Sequence, residues 1–212
     1  METSTATNAV QPHVENATHA QRMNFIDMLL SRQSHWPLTD PGPSDAELDL
    51  IFDAALRAPD HGRLQPWRFA FIRGDARAEL GEVLVDVAAA REPHTPRADH
   101  EHRRQKAYAA PLIVALGASI TPGAGIPENE QVLSAGAAAI NMLNAIHALG
   151  YGGFWATGID AYDANLQAAL DFEASDRLLG FLFVGTPKSR ERAALRPPRT
   201  NHVREWLGRS SS

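Results

Sequence analysis

The longest helix that the sequence predicts, Glu128 to Leu149, has few large side chains. Its centre is rich in small residues: Ala135, Gly136, Ala137, Ala138, Ala139 and, further along, Ala145. The side chains at a contact set how closely two helices approach, so this surface lets a neighbouring backbone come near. We therefore expect the helix at the centre of the protein or at a contact between subunits. Gly150 is suited to end it, because glycine accepts the left-handed conformation that follows many helices.

Helices and strands alternate along the rest of the chain. Apolar residues at helical spacing predict a first helix through Leu30, and the capping box from Ser44 to Glu47 predicts the start of a second. Apolar runs predict three strands and further helices: strands at 67–72, 111–119 and 178–185, and helices at 75–90, 128–149 and through 166–170. This order implies layers of helices around a mixed sheet. Three strands make a thin sheet for a chain of this size. Contact with the sheet or helix surface of a second copy would compensate for the small number of strands.

The composition excludes several classes of protein. The chain has 212 residues and a net charge of −5, which provides no basic surface for a nucleic-acid backbone. No run of residues is apolar enough to cross a membrane. The lack of cysteine rules out disulfides and thiolate chemistry and fits a reducing, cytoplasmic compartment. Residues 1–21 lack the apolar region of a secretory signal and are predicted to be a disordered leader, followed by a single domain over residues 22–212.

The connection from Arg57 to Trp67 is unusually rich in functional groups. It holds two arginines, a histidine, an acid and an amide between a predicted helix and a predicted strand. Loops held by a rigid scaffold often carry binding or catalytic residues. The alternative is a plain polar surface loop after a helix that proline ends, since charged loops are common.

Two other segments have the composition of ligand sites. Arg32 between two hydroxyls, Ser31 and Ser34, suits a phosphate monoester, although a solvated helix end explains it equally. The glycines from 150 to 153 could admit a flat ligand, or simply form a helix stop and a turn.

The histidines of the charged segment 91–106 do not predict a metal site. His94, His100 and His102 lack the helical spacing of paired metal ligands and lie among arginines and a lysine, so we expect an exposed or mobile excursion. The sequence also has no glycine-rich dinucleotide fingerprint, no P-loop and no nucleophile elbow.

Four motifs taken together resemble one known family. They are Ser-Arg-Gln-Ser at 31–34, Arg-Ala-Pro-Asp-His to Gln-Pro-Trp-Arg-Phe at 57–69, Gly-Gly-Phe-Trp-Ala-Thr-Gly at 152–158, and Gly-Phe-Leu-Phe-Val-Gly-Thr-Pro at 180–187. Their order is similar to that of the flavin-dependent nitroreductase family, in particular its short, YdjA-like bacterial branch. The resemblance covers about residues 22–206. It implies a three-layer α+β sandwich and an intertwined homodimer with FMN at the interface.

The resemblance also implies roles for individual residues. The expected FMN contacts are Arg32, Gln33 and Ser34 for the phosphate and ribityl chain, Arg57 and His61 from the partner subunit, and Trp155, Ala156 and Thr157 completing the site. The expected NAD(P)H contacts are Ala145, Ile146, His147, Ala148, Leu149 and Gly150. Gln33 and Ala156 stand where the family pattern has arginine, so the site has fewer positive charges for a phosphate.

The function that the resemblance implies is reduction of nitroaromatics, quinones or related electron-poor acceptors. NAD(P)H would reduce the flavin and leave, and the acceptor would then bind the same face, which gives ping-pong kinetics. His61 could orient the ring, donate a proton or be a flavin contact only. Two alternatives stay open: a flavin-binding protein for storage, sensing or degradation of flavin, and a structural dimer built on the small-residue helix.

Overall fold

The computed structural model describes residues 18–189 and 194–208. The chain divides into two compact units, residues 1–32 and 33–212. In the first unit, helix α1 (His19–Ser31) begins with a capping box in which Thr18 and Gln21 exchange hydrogen bonds between side chain and backbone. Most of the predicted leader, residues 1–17, lies outside the described residues, and α1 begins within the range assigned to it.

The second unit contains the predicted helices and strands and two further strands. In chain order they are β1 (Leu38–Thr39), α2 (Asp45–Ala55), β2 (Trp67–Arg73), α3 (Ala76–Arg91), β3 (Leu112–Ser119), α4 (Glu128–Ala148), β4 (Gly152–Ala156), α5 (Ala164–Ala169) and β5 (Asp176–Pro187). Short 3-10 helices lie at His61–Arg63, Arg97–Tyr108, Ile159–Tyr162 and Arg199–Asn201. The predicted capping box of α2 is confirmed, since the backbone N–H of Glu47 donates to Ser44 Oγ and that of Ser44 to the Glu47 carboxylate.

The strands form one sheet in the order β1-β5-β3-β2, with β4 also paired to β5. Every one of these pairings is antiparallel. The expected mixed sheet is therefore corrected in strand direction, because alternation of helices and strands along a sequence does not fix the direction of each strand. The sheet is also less thin than the three predicted strands suggested. Strand β1 was not predicted because it is only two residues long. Strand β4 was not predicted because it begins with two glycines, which have a low strand propensity.

Strand β3 separates two apolar cores. Ile113 and Ala115 face a core that includes Leu80 and Leu84 of α3. The alternate residues of β3 face the other core with side chains from α2 and α4: Leu112, Val114, Leu116, Ile51, Met142 and Ile146. Successive side chains of a strand point to opposite faces, so the unit has three layers, with α2 and α4 on one side of the sheet and α3 on the other. The central position expected of the small-residue helix is confirmed, since Ala138 and Ala139 of α4 are fully buried.

The charged segment that follows α3 is ordered. Residues Arg97–Tyr108 form a 3-10 helix whose Arg97 bonds Glu82 and Asp86 of α3, and Arg104 also bonds Glu82. The hydrogen bonds from Arg104 and then from Arg97 lower the pKa of Glu82. The expected exposed excursion is confirmed for most of these residues, Arg97, Glu101 and Lys106 among them, although they form a helix that is bonded to α3. Among the described helices, none is long and apolar enough to span a membrane.

Candidate functional site

The end of strand β4 is held in place by the backbone of β5. Gly180 has φ +120°, and a Cβ there would lie 2.5 Å from the carbonyl oxygen of Ala156. The indole Nε1 of Trp155 donates to the carbonyl oxygen of Leu179 at 3.1 Å. Only glycine at position 180 lets the two strands approach this closely, so β5 fixes the predicted flavin contacts Trp155 and Ala156.

The glycines around β4 differ in what surrounds them. A Cβ on Gly152 would lie 2.7 Å from Leu38 Cδ2, and one on Gly153 would lie 2.7 Å from Leu143 Cδ2. These two glycines admit the protein's own side chains, so they do not provide the space for a flat ligand. Gly158 borders open space, because a Cβ there would meet no atom within 4 Å, and the same is true of Gly150. The backbone just after Thr157 is thus an open surface that a flat ring could approach.

One residue of the predicted phosphate motif lies beside β4, and a second bonds the chain after β5. The backbone N–H of His35 donates to the carbonyl oxygen of Gly153 at 3.3 Å, which places the preceding Ser34 next to that strand. The side-chain oxygen of Gln33 accepts the backbone N–H of Ala194 at 2.8 Å. The third residue of the motif, Arg32, follows α1 and belongs to the first unit.

The loop between α2 and β2 is held firmly on α4. His61 Nδ1 lies 2.7 Å from Glu130 Oε2, and Ser134 Oγ donates to the carbonyl oxygen of Pro59 at 2.7 Å. Within the loop, Gln65 has φ +48° and its N–H donates to Asp60 Oδ2 at 2.7 Å. Left-handed backbone at a residue other than glycine persists only where the surroundings impose it, and such residues are frequent at functional sites. His61, Arg63 and Gln65 are exposed, so both interpretations of this loop fit the structure and its functional role stays a prediction.

Three of the eight predicted flavin contacts line two different cavities of one chain: His61, Ala156 and Thr157. The first has a volume of about 230 Å³ and is bounded by Ala156, Thr157 and Gly158, with α3 on its far side. The second, about 390 Å³, contains His61 and residues of the first half of α4. The two cavities share no residue and lie on opposite faces of the sheet. Arg57 is exposed two residues beyond the end of α2.

The segment predicted to contact the nicotinamide nucleotide is the last turn of α4 and the residue pair after it. Ile146 is fully buried in the core between α4 and the sheet, whereas Ala148 and Gly150 are exposed. Gly150 has φ +87°, as expected of a residue that ends a helix. The role of residues 145–150 in donor binding stays a prediction.

A buried carboxylate with three cationic partners borders the first cavity. Asp160 accepts hydrogen bonds from Arg91 at 2.9 Å, Lys106 at 2.8 Å and Arg103 at 3.2 Å, and only 5% of its side chain is exposed. Burial opposes ionisation of Asp160, but the bonds from Lys106 and Arg91 outweigh it and lower its pKa. Asp160 was not among the residues predicted from the sequence. The spacing of Arg103 and Lys106, one turn of a 3-10 helix apart, was the only usable sign.

Comparisons with known proteins show the family of this chain. The family model described as "Nitroreductase family" matches residues 29–186. The chain is 32% identical over 176 residues to "Putative NAD(P)H nitroreductase YdjA" of Escherichia coli K12, covering 83% of this chain and 95% of that protein. The chain therefore belongs to the nitroreductase family, and the expected family and enzyme class, an oxidoreductase, are confirmed.

Solved structures bear out the fold. A nitroreductase-like family protein from Bacillus cereus superposes with a TM-score of 0.76 at 18% identity, covering 94% of this chain and 100% of that one. A "putative nitroreductase in complex with fmn" from Desulfovibrio desulfuricans superposes with a TM-score of 0.65 at 27% identity, covering 87% and 98%. The predicted α+β, nitroreductase-like fold class is confirmed.

Replacing Gly180 by alanine should disturb the end of β4. The added Cβ would overlap the carbonyl oxygen of Ala156, so the strand end must move. We expect Gly180→Ala to lower the free energy of unfolding by about 2–3 kcal/mol, because overpacking adds to the backbone strain of a positive φ. Gly74→Ala is the control, since Gly74 also has a positive φ, +58°, but no atom within 4 Å of the Cβ position. Equal losses in urea denaturation would contradict the steric argument.

Removing the charge of Asp160 should destabilise the fold. Asp160→Asn leaves three cations facing one another, and we expect a loss of about 3–5 kcal/mol at pH 7 in urea denaturation. Since the folded pKa of Asp160 is lowered, its stabilisation is present above about pH 4, the unfolded value. The difference between the wild type and Asp160→Asn should therefore shrink as pH falls further. Asp86→Asn, at an exposed ion pair with Arg97, should cost at most about 1 kcal/mol.

Proposed function

We propose that this protein is an FMN-dependent oxidoreductase that uses NAD(P)H to reduce electron-poor acceptors, such as nitroaromatics or quinones. The observation that carries the proposal is the open backbone surface at Gly158, where a Cβ would meet no atom, directly after the strand end fixed by Gly180. A family relative of 27% identity was crystallised in complex with FMN, which supports the same cofactor here. The name of the Escherichia coli relative supports NAD(P)H as the electron donor.

In this proposal, the chain's residues bind and orient the cofactor. Trp155, Ala156 and Thr157 form the edge against which the flavin ring lies, because their backbone is held rigidly by β5. Arg32 and Ser34 receive the phosphate, with Gln33 donating hydrogen bonds but no charge. A guanidinium suits this task, since its donors form a planar fork that matches phosphate oxygens.

The electron transfer itself is the chemistry of the cofactor: bound FMN takes a hydride from NAD(P)H and passes electrons to the acceptor. The protein supplies one open face for both substrates, so donor and acceptor bind in turn and the kinetics are ping-pong. No protein acid or base is required for hydride transfer. His61, held by Glu130, serves to orient the ring or to deliver a proton to the reduced acceptor.

We further propose that the active unit is a homodimer in which each flavin is contacted by both chains. The separation of His61 from Ala156 and Thr157 into cavities on opposite faces of the sheet supports this arrangement. The outer face of α4 also supports it, because Leu133 is 66% and Ile140 is 44% exposed. Exposed apolar residues beside the cavity of His61 are typical of a surface that another chain covers.

The purified protein should carry a flavin. We expect a yellow preparation with the absorption spectrum of FMN, and consumption of NADH or NADPH that depends on an added quinone or nitroaromatic. A colourless protein that also fails to quench the fluorescence of added FMN would contradict the proposal. Bound FMN without NAD(P)H oxidation would favour a protein that stores, senses or degrades flavin.

A mixture of two inactive variants should recover activity. Arg32→Ala should weaken phosphate binding by about 1.5–3 kcal/mol, the strength of a charged hydrogen bond, and His61→Ala should damage the partner's contribution to the same flavin. In a heterodimer of the two variants, one site has both changes and the other has neither. With random exchange of subunits, about a quarter of the sites in a symmetric dimer become intact.

The same experiment has two controls. Native mass spectrometry of an isotope-labelled mixture verifies that subunits exchange, and a variant with both changes in one chain should not be rescued by either single variant, because every site in such a mixture has at least one change. Absence of recovery despite exchange would mean that Arg32 and His61 serve one flavin from the same chain. A monomer in solution that still turns over would refute the shared site.

A further inference from the structure

The first cavity is an apolar chamber with a single charged edge. Its walls are aromatic and aliphatic side chains from the sheet, from α3 and from the segment before β1: Trp36, Leu80, Leu84, Ile113, Phe154, Phe181 and Phe183. The ring of Trp36 packs 5.1 Å from that of Phe154 and edge-on to Phe183. An apolar cavity of about 150 Å³ is enough to bind benzene. At about 230 Å³, this cavity suits one aromatic ring with a substituent or two.

The charge at the edge of the cavity is unbalanced. Arg91, Arg103 and Lys106 contribute three positive charges, and Asp160, to which all three are bonded, contributes one negative charge. The cluster therefore carries a net charge of about +2, by addition of these formal charges. One cation is enough to neutralise a buried carboxylate, so pairing with Asp160 does not explain the presence of the other two cations.

Two donors of the cluster have no acceptor. Arg91 Nη1 and Arg103 Nε are buried and lack a hydrogen-bond partner among residues 18–189 and 194–208. Buried polar atoms in folded proteins are nearly always paired, so each unpaired donor requires a reason. Neither Arg91 nor Arg103 lines the cavity, so their unpaired donors do not contact a ligand in it, and it is the surplus positive charge that favours an anionic group at the cavity edge.

Lys106 is the member of the cluster that can meet a ligand. It borders the cavity directly, and half of its side chain is exposed, whereas Asp160 is buried. An ammonium group has three donors, of which one bonds Asp160 at 2.8 Å. The bond to Asp160 holds the ammonium at the edge of the apolar chamber.

We propose that this cavity receives the ring of the electron acceptor and that Lys106 selects acceptors that carry a carboxylate or a similar anionic group on a single aromatic ring. This inference rests on the proposed reductase function. The cavity is bounded by Ala156, Thr157 and Gly158, the same residues against which the flavin ring is proposed to lie, so a ring seated there is next to the electron source. The apolar walls bind the ring, and the cationic edge binds the anion.

The test compares two ligands of the same shape and different charge, 4-nitrobenzoate and 4-nitrobenzamide. Their dissociation constants are measured by calorimetry with the purified flavin-loaded protein, without NAD(P)H. We expect nitrobenzoate to bind at least about tenfold more tightly. Lys106→Gln should remove this preference and leave nitrobenzamide binding unchanged, whereas Lys106→Arg should keep the preference.

Arg97→Gln is the matched control. It removes one positive charge from the same 3-10 helix, but Arg97 is bonded to Glu82 and Asp86 and does not border the cavity. We expect this variant to bind both ligands as the wild type does. Equal affinity of the wild type for the two ligands, or a preference that survives Lys106→Gln, would overturn the inference. An equal loss of both ligands in Lys106→Gln would also overturn it, since it would indicate collapse of the cavity.

The outcome separates this inference from the proposed function. Steady-state reduction of a neutral quinone by NAD(P)H is measured in parallel with the same variants. Turnover of the quinone without any preference for nitrobenzoate means that the function holds and the inference fails. Preferential, Lys106-dependent binding of nitrobenzoate to a protein that oxidises no NAD(P)H means that the reductase function fails while the anion site exists.

Discussion

Strand β5 is the constraint on which the rest of the second unit depends. Strands β1, β3 and β4 all pair with it, and β2 joins the sheet through β3. Two glycines of β5 determine how closely the neighbouring segments approach this strand. Gly180 admits the end of β4, and Gly185 admits Pro111, whose Cδ would lie 2.6 Å from a Cβ at that position. Because Trp155 and Ala156 end β4 and are held by β5, these two predicted flavin contacts are positioned by a strand pairing rather than by a loop.

The helices and strands whose apolar residues repeat regularly were predictable from the sequence. Strands β2, β3 and β5 and helices α2, α3 and α4 lie within a few residues of their expected places, because their apolar residues repeat at the spacing of one face. Strands β1 and β4 were missed since pairing with β5, rather than their own composition, makes them strands. Strand direction was missed for the same reason: it is decided by partners distant in sequence.

The residues of the candidate site were predictable from the sequence only in part. The motif around Arg57 and His61 was visible because its residues are neighbours in sequence, and the family resemblance gave them a role. Asp160 and Lys106 are separated by most of β3, α4 and β4, and their bond became evident only in the folded chain. The sequence contained the charges but not their convergence on one carboxylate, which depends on how the 3-10 helices Arg97–Tyr108 and Ile159–Tyr162 meet beside α3.

The placement of His61 and Thr157 on opposite faces of the sheet has a thermodynamic consequence. If a flavin is held by two chains, then cofactor binding and subunit association are linked equilibria, and each strengthens the other. Free FMN in excess would lower the protein concentration at which dimers form, and dilution would release the cofactor. Flavin supply would then set the oligomeric state of this protein as well as its occupancy.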